Sequence, residues 1–273
     1  MFAAAAGSFP AMRRTTALLA ALIALATAVP AAAAQAQQPA ERWRPGLEAA
    51  RAYAASRAGT ISFAVRTRHR LYRSDAYRSY PSASVVKAML LVAYLNHPSV
   101  RGRKLHGGDL ALIDPMVRRS DNVAASRVRD LVGNGALEHL ADRAGMGRFA
   151  TAPSWGSTLV TAAGQAKLFL RIDRYVVARH RATALRLLGT VIGPQRWGVA
   201  QAPHSGWTLH FKGGWGDGDG EVDHQVALLR RGRHRVAVAI LTAANPSHGY
   251  GKQTLEGIAR RLLRGLGPSS LPR

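Results

Sequence analysis

Ser84 stands three residues before Lys87 at the head of an apolar run, Ser84-Val85-Val86-Lys87-Ala88-Met89-Leu90-Leu91. On a helix, residues three apart share a face, about 4.5 Å apart along the axis, so the ammonium can reach the hydroxyl. Lys87 is the sole charge between Ser84 and His97, and a helix apolar nearly all round is a buried one. Burial favours the neutral amine, and a neutral amine can take the proton of a serine that attacks a carbonyl. If Ser84 also opens the helix, the first amide N–H groups point at the oxygen on which charge develops. The same pattern also suits an ordinary solvated helix face. Two features favour chemistry. Only five lysines (Lys87, Lys104, Lys167, Lys212 and Lys252) occur among 38 basic residues, and Lys87 alone follows a serine at this spacing. Arginine cannot act as such a base, because its pKa stays above about 12.

Two further motifs follow. Ser120-Asp121-Asn122 lies in a helical region after Arg118-Arg119, and Lys212-Gly213-Gly214 follows the apolar strand Leu209-His210-Phe211. Taken singly, the first is also a helix cap and the second a strand end. Taken together, in this order and at these separations, the three motifs resemble those of the class A serine β-lactamases and the penicillin-binding D-alanyl-D-alanine peptidases. The resemblance spans roughly residues 46–265. Within that group, Gln195-Arg196-Trp197-Gly198 and Lys212-Gly213-Gly214-Trp215 are similar to exported serine hydrolases of actinobacteria.

The resemblance implies roles. Ser84 is the nucleophile that forms an acyl-enzyme, Lys87 its base, and Ser120 the relay that carries a proton to the leaving nitrogen. Asn122 orients Lys87 and the substrate amide. Lys212 holds the substrate carboxylate, keeps Ser120 polarised and lowers the Lys87 pKa by repulsion. The oxyanion hole is the Ser84 amide plus that of Gly214 or Trp215. Implied substrates are β-lactams or D-alanyl peptides, with no cofactor and no metal.

Departures from the family pattern shape the expectation. Gly213 has no hydroxyl for a substrate carboxylate. The loop Thr151–Val160 contains no acid, although a class A enzyme uses a glutamate there to activate the deacylating water. The acids between Asn122 and Lys212 are Asp130, Glu138, Asp142 and Asp173, none placed as a substitute. The arginine often found after the third motif has no clear counterpart; His224 and Gln225 stand in about that region. Slow deacylation is expected, with a wall-binding protein that does not turn over as the alternative. Trp155, Trp197 and Trp215 could line a groove, two of them more naturally serving as core. His224 and His248 are expected to be structural, and no metal-ligand spacing is visible.

The chain has 273 residues, 47% of them hydrophobic, and a formal charge of +23. Such a charge favours polyanions, and an anionic cell-wall polymer is the expected partner. The arginines are scattered and no nucleic-acid motif appears, so no specific nucleic acid is expected. Met12-Arg13-Arg14, the apolar run from Thr15 to Val29 and the small residues Ala34 and Ala36 form a secretory leader, 1–36. Export follows, with Met12 an alternative start. Residues 37–45 are expected as a linker and 46–273 as one domain, without disulfides because the chain has no cysteine. No apolar stripe stands out, and a monomer is expected.

Periodicity supplies the elements that must position the motifs. A helix over 46–57 precedes strands at 61–65 and 71–72, then the apolar helix carrying Ser84 and Lys87. Helices are predicted at 121–131, 136–144, 162–173 behind a Thr161 cap, and 182–192. Strands return at 209–211, 225–229 and 236–242, with a hairpin at 230–233, and a last helix covers 254–264. This order predicts an α+β fold: a five-stranded antiparallel sheet flanked by helices, with an all-α insertion.

Overall fold

The computed structural model describes residues 43–267 apart from Asp219, together with Ser270. The expected leader and its cleavage site lie outside the described residues. Helix α1 (Leu47–Ala55) leads into β1 (Thr60–Arg66), β2 (Leu71–Ser74) and β3 (Ser79–Pro81). The helical region then runs through α2 (Lys87–Asn96), α3 (Pro98–Arg101), α4 (Gly107–Asp114) and α5 (Asn122–Ala144). It continues through β4 (Leu159–Thr161), α6 (Ala162–Phe169) and α7 (Arg181–Gly189). Strands β5 (Thr208–Gly218), β6 (Gly220–Arg231) and β7 (His234–Asn245) and helix α8 (His248–Leu262) complete the chain. Among the described residues no helix is long and apolar enough to cross a membrane.

The main sheet is five-stranded, in the order β2-β1-β7-β6-β5, with every pairing antiparallel. Its central strands are covered on both faces, and the period of two sends alternate residues to different cores. Phe63, Val65, Ala227, Val238 and Ile240 pack with Leu255 and Ile258 of α8. Ala64, Val226, Leu228, Ala239 and Leu241 pack on the other side with Met89 and Leu90 of α2 and Phe169 of α6. Helix α2 is therefore enclosed, buried at every position from Lys87 to Leu95. The first described residue, Trp43, falls in the expected linker yet is buried, and its indole N–H donates to the Arg264 carbonyl at 3.0 Å.

Several boundaries differ from expectation for local reasons. The helices expected at 121–131 and 136–144 are one span broken at Gly133, whose φ of 71° is not helical. Strand β5 runs seven residues past the expected end at Phe211, because Gly213, Gly214, Gly216 and Gly218 hide a strand signal. The third motif thus lies inside a strand rather than after it. Helix α8 begins at His248 rather than Thr254, capped by Ser247 Oγ accepting from the Tyr250 amide; Gly249 and Gly251 had concealed that first turn. Helix α6 stops at Phe169 and gives way to a separate 3-10 turn at Ile172–Tyr175, and α7 stops at Gly189. The insertion is not wholly helical: β3 and β4 pair as a two-stranded sheet of three residues each, too short to show periodicity.

His224 ties that small sheet to the large one. Its ring is fully buried, with Nε2–H donating to the Pro81 carbonyl at 2.8 Å and Nδ1 accepting from the Thr242 amide at 3.2 Å. Accepting at Nδ1 requires the neutral ring, and burial pushes the His224 pKa down to about 4. Unfolded, the imidazole takes its proton near pH 6.5. The stabilisation is therefore complete above about pH 6.5 and is lost as pH falls toward 4. Urea unfolding at pH 7 and pH 4.5 should show wild-type stability dropping by about 2–3 kcal/mol from this group. In His224→Gln, less stable at pH 7, that part of the drop should vanish.

Candidate active site

The segment holding Ser84 is a 3-10 turn, Ala83–Val86, that runs directly into α2 at Lys87. In a 3-10 turn side chains at i and i+3 eclipse, so Ser84 and Lys87 point the same way. The turn is clamped from behind. The Ser82 amide donates to the Thr158 carbonyl at 2.7 Å, and Ser82 Oγ lies 3.2 Å from the Trp155 carbonyl and 3.3 Å from that of Gly156. Ala83 takes a left-handed φ of 43°, which reverses the chain immediately before Ser84.

Ser120 comes from the other side of the cleft. The five-residue π-helix Pro115–Arg119 ends at Ser120 itself, left-handed at φ 60° and ψ 33°. Asp121 then caps α5, its Oδ1 accepting from the Ala124 amide at 2.7 Å. A left-handed non-glycine residue is costly and persists where its surroundings hold it. Here the Ser120 carbonyl and hydroxyl both bond Lys87 Nζ, at 2.5 and 3.2 Å, and Asn122 Oδ1 accepts from the same nitrogen at 2.7 Å. Lys212 Nζ reaches Ser120 Oγ at 3.0 Å and the Gly213 carbonyl at 2.8 Å. Ser84 Oγ makes no hydrogen bond among the described residues and lines the cleft.

Both lysines are fully buried. Burial pushes Lys87 down to about 7, opposed only by the negative charge of Asp121. Burial also holds Lys212 well below the ordinary lysine value, with the Lys87 charge as the second cause. The expectation that Lys212 depresses Lys87 by repulsion is therefore corrected: desolvation is the main cause for both. Neutral Lys87 can donate to the Ser120 carbonyl and to Asn122 and still accept from the Ser120 hydroxyl, which in turn accepts from Lys212. The face of Trp155 completes the cage, its ring centre 4.6 Å from Lys87 Nζ.

These groups open on a cleft of ≈ 310 Å³ whose lining includes Ser84, Ser120, Asn122, Trp155, Trp215 and Asp217. Gly214 sets its depth. A Cβ there would stand 2.8 Å from the Ser84 amide nitrogen and 2.9 Å from that of Val85, so only glycine lets β5 pass the serine turn so closely. A Cβ on Gly213 would come within 3.0 Å of the Trp197 ring. The missing hydroxyl of the third motif is thus matched by an indole packed over its place. Gln225 fixes that indole, its Nε2 donating to the Trp197 carbonyl at 2.8 Å and its Oε1 accepting from the Val199 amide.

Of the seven residues singled out from sequence, Ser84, Ser120, Asn122 and Trp215 line the cleft, with Lys87, Lys212 and Gly214 directly beneath. The expectation that two of Trp155, Trp197 and Trp215 are core holds in part: Trp155 and Trp197 are half-buried and pack against the two cores without being enclosed in them. Trp155 and Trp215 are cleft walls, Trp197 stacks edge-on against Trp215 at 6.1 Å, and the core tryptophans are Trp43 and Trp207. The sequence reading missed Ser82, the hold of Gln225 on the Trp197 segment and the contact of Trp155 with Lys87, all of which arise from contacts distant in the chain.

The acids between Asn122 and Lys212 stay out of the cleft lining. Glu138 accepts from Thr151 Oγ1, and Asp173 pairs with Arg235. The carboxylate that does reach the cleft is Asp217, at its rim. Asp217, Glu221 and His248 bring their ligand atoms within 4.8 Å of one another and are the group among the described residues able to hold a metal ion. His248 already bridges Asp217 at 3.2 Å and buried Asp223 at 3.3 Å, and these carboxylates, Asp223 above all, raise its pKa against the opposing effect of burial.

Residues 110–266 match the model of the β-lactamase enzyme family. The β-lactamase from Sphaerobacter thermophilus superposes with a TM-score of 0.66 at 21% identity, covering 81% of this chain and 97% of that one. The β-lactamase from Desulfarculus baarsii gives 0.63 at 22% identity, covering 78% and 96%. The TLA-3 extended-spectrum β-lactamase gives 0.68 at 12% identity, covering 81% and 98%. At these identities the likeness is one of fold. No curated protein matches the chain. With more than half its length matched by that family model and its sheet and helices in the same arrangement, the chain belongs to the β-lactamase enzyme family.

Proposed function

We propose that this protein is an exported serine hydrolase that forms an acyl-enzyme on Ser84 with β-lactams or D-alanyl peptides and releases it slowly. The observation that carries the proposal is the meeting of Lys87 and Lys212 at Ser120 Oγ, 3.2 and 3.0 Å away, on the floor of the cleft that Ser84 lines. Neutral Lys87 takes the Ser84 proton as Oγ bonds to the substrate carbonyl carbon. The Ser84 amide and an amide of the passing β5 strand, Gly214 or Trp215, receive the oxyanion. The C–N bond then breaks, and the proton travels from Lys87 through Ser120 to the departing nitrogen. Lys212 supports Ser120 in that relay and faces the substrate carboxylate.

Slow release follows from what surrounds Lys87. The loop over it offers Ser154, Trp155, Gly156 and Ser157 to the cleft and no carboxylate to activate water. That same feature favours the second reading, a protein that recognises peptidoglycan stems without turnover. The apolar run behind Arg13 and Arg14 supports export, and the strong positive charge that remains without the leader, +23 less Arg13 and Arg14, supports retention at an anionic wall.

Incubation with a fluorescent penicillin should leave an adduct on Ser84, seen by intact mass, that persists for hours and is absent in Ser84→Ala. Fast loss of penicillin with no adduct would mean that a water-activating group exists. No adduct and no turnover would remove β-lactams as substrates. The acylation rate should rise with pH through about 7 and then level, being about thirtyfold lower at pH 5.5 than on the plateau. A flat profile would exclude Lys87 as the base. Gly213→Thr should lower both the melting temperature and the labelling rate by forcing a side chain against Trp197, and Trp197→Ala in the same chain should recover part of both.

A further inference from the structure

A second concavity lies at the other end of the sheet from Ser84. It has a volume of ≈ 600 Å³ and is lined by five arginines, Arg68, Arg171, Arg174, Arg233 and Arg235, with one histidine from each of two hairpins. Arg68 belongs to the β1–β2 turn, Arg233 to the β6–β7 turn, and Arg171 and Arg174 to the segment that follows α6. The pairings place it. Gly214 opposes His224 beside the serine turn, whereas Thr208 opposes Arg230 near the β6–β7 turn. Six residues at about 3.3 Å each put the two regions roughly 20 Å apart along the strand.

Among the described residues no carboxylate lines this concavity, and the acid paired with one of its arginines is the buried Asp173. Asp173 takes a two-pronged pair from Arg235, at 2.6 and 2.8 Å, and Arg235 also donates to the Leu170 carbonyl at 3.1 Å. The Arg235 bond and charge outweigh the opposing effect of burial and keep Asp173 below its ordinary pKa, so the pair is closed on itself. The other four arginines make no ion pair or side-chain hydrogen bond among the described residues. Immediately behind the turn, Arg230 Nε and Arg231 Nη1 are buried donors without a partner. Three separate chain segments thus deliver uncompensated guanidinium groups to one hollow, against their mutual repulsion. A guanidinium presents paired N–H donors that match the oxygens of a phosphate group. The volume is that of a ligand site and exceeds what a single phosphate fills.

We propose that this concavity binds an anion carrying two or more linked phosphate groups, either a free polyphosphate or a phosphodiester polymer. The site is separate from the cleft and does not depend on the acyl-serine chemistry.

The test is calorimetric titration of the full chain with tripolyphosphate in 0.15 M salt. It compares wild type, a variant with Arg68, Arg171, Arg174 and Arg233 each changed to Gln, and a control with Arg44, Arg101, Arg127 and Arg186 each changed to Gln. Both variants lose the same charge, and matching melting temperatures show that both are folded. Saturable one-to-one binding by wild type and control, weakened about tenfold or more in the cavity variant, is the expected result. Equal weakening in both variants would reduce the effect to net charge and overturn the proposal, as would the lack of saturable binding. A glycerol-phosphate polymer that displaces tripolyphosphate at a lower phosphate concentration identifies the polymer as the ligand, and weaker displacement identifies the free polyphosphate.

Discussion

Two lysine side chains, taken fully out of water, converge on one serine hydroxyl. Everything else at the site answers to that arrangement. An isolated ammonium in a protein interior is too costly to keep, so it must be paired, hydrogen-bonded or neutral. Among the described residues no carboxylate pairs with either Lys87 or Lys212. Ser120 supplies its carbonyl and its hydroxyl, Asn122 its amide oxygen, Gly213 its carbonyl and Trp155 its π face. Ser120 presents its carbonyl and hydroxyl together from a left-handed backbone at the end of the π-helix.

The second constraint is close approach. Strand β5 passes close against the serine turn, and a side chain at Gly214 would forbid that approach. Glycines weaken a strand, and β5 regains support by pairing with β6 along its whole length. Its neighbour Gly213 leaves room of a different kind, which Trp197 fills and Gln225 secures. The departure from the family's third motif is therefore a packed arrangement of three residues, not a simple loss. It trades a hydroxyl facing the substrate for an aromatic surface continuous with Trp215.

The sheet links these features while keeping the molecule's two ends chemically different. At one end, acids gather at the rim of the cleft around His248; at the other, arginines gather around the two hairpins. Strands β6 and β7 run between them, buried on both faces, and His224 fastens the small sheet beside Ser84 to this rigid centre.

The sequence by itself determined the fold class and singled out Ser84 and Lys87, while Ser120 and Lys212 stood out only through the resemblance of the three motifs together. The signals for the fold class, Ser84 and Lys87 are local: a hydroxyl and an amine one turn apart, an apolar helix, alternating strands. It also exposed the acid-free loop, because the absence of a residue type can be read directly. It misjudged β5 and the start of α8, where glycine erases the pattern that periodicity depends on. Burial of Lys87 was expected from its apolar helix, but only the tertiary structure decided that Lys212 is buried too and that repulsion between the two lysines ranks second to burial there. Only it decided that Trp155 and Trp215 wall the cleft while Trp43 and Trp207 fill the core, and that Trp197 occupies the space over Gly213. Desolvation and steric overlap are properties of atoms brought together from distant parts of the chain: Lys87 meets Ser120 across 33 positions and Trp155 across 68, and no local pattern encodes such meetings.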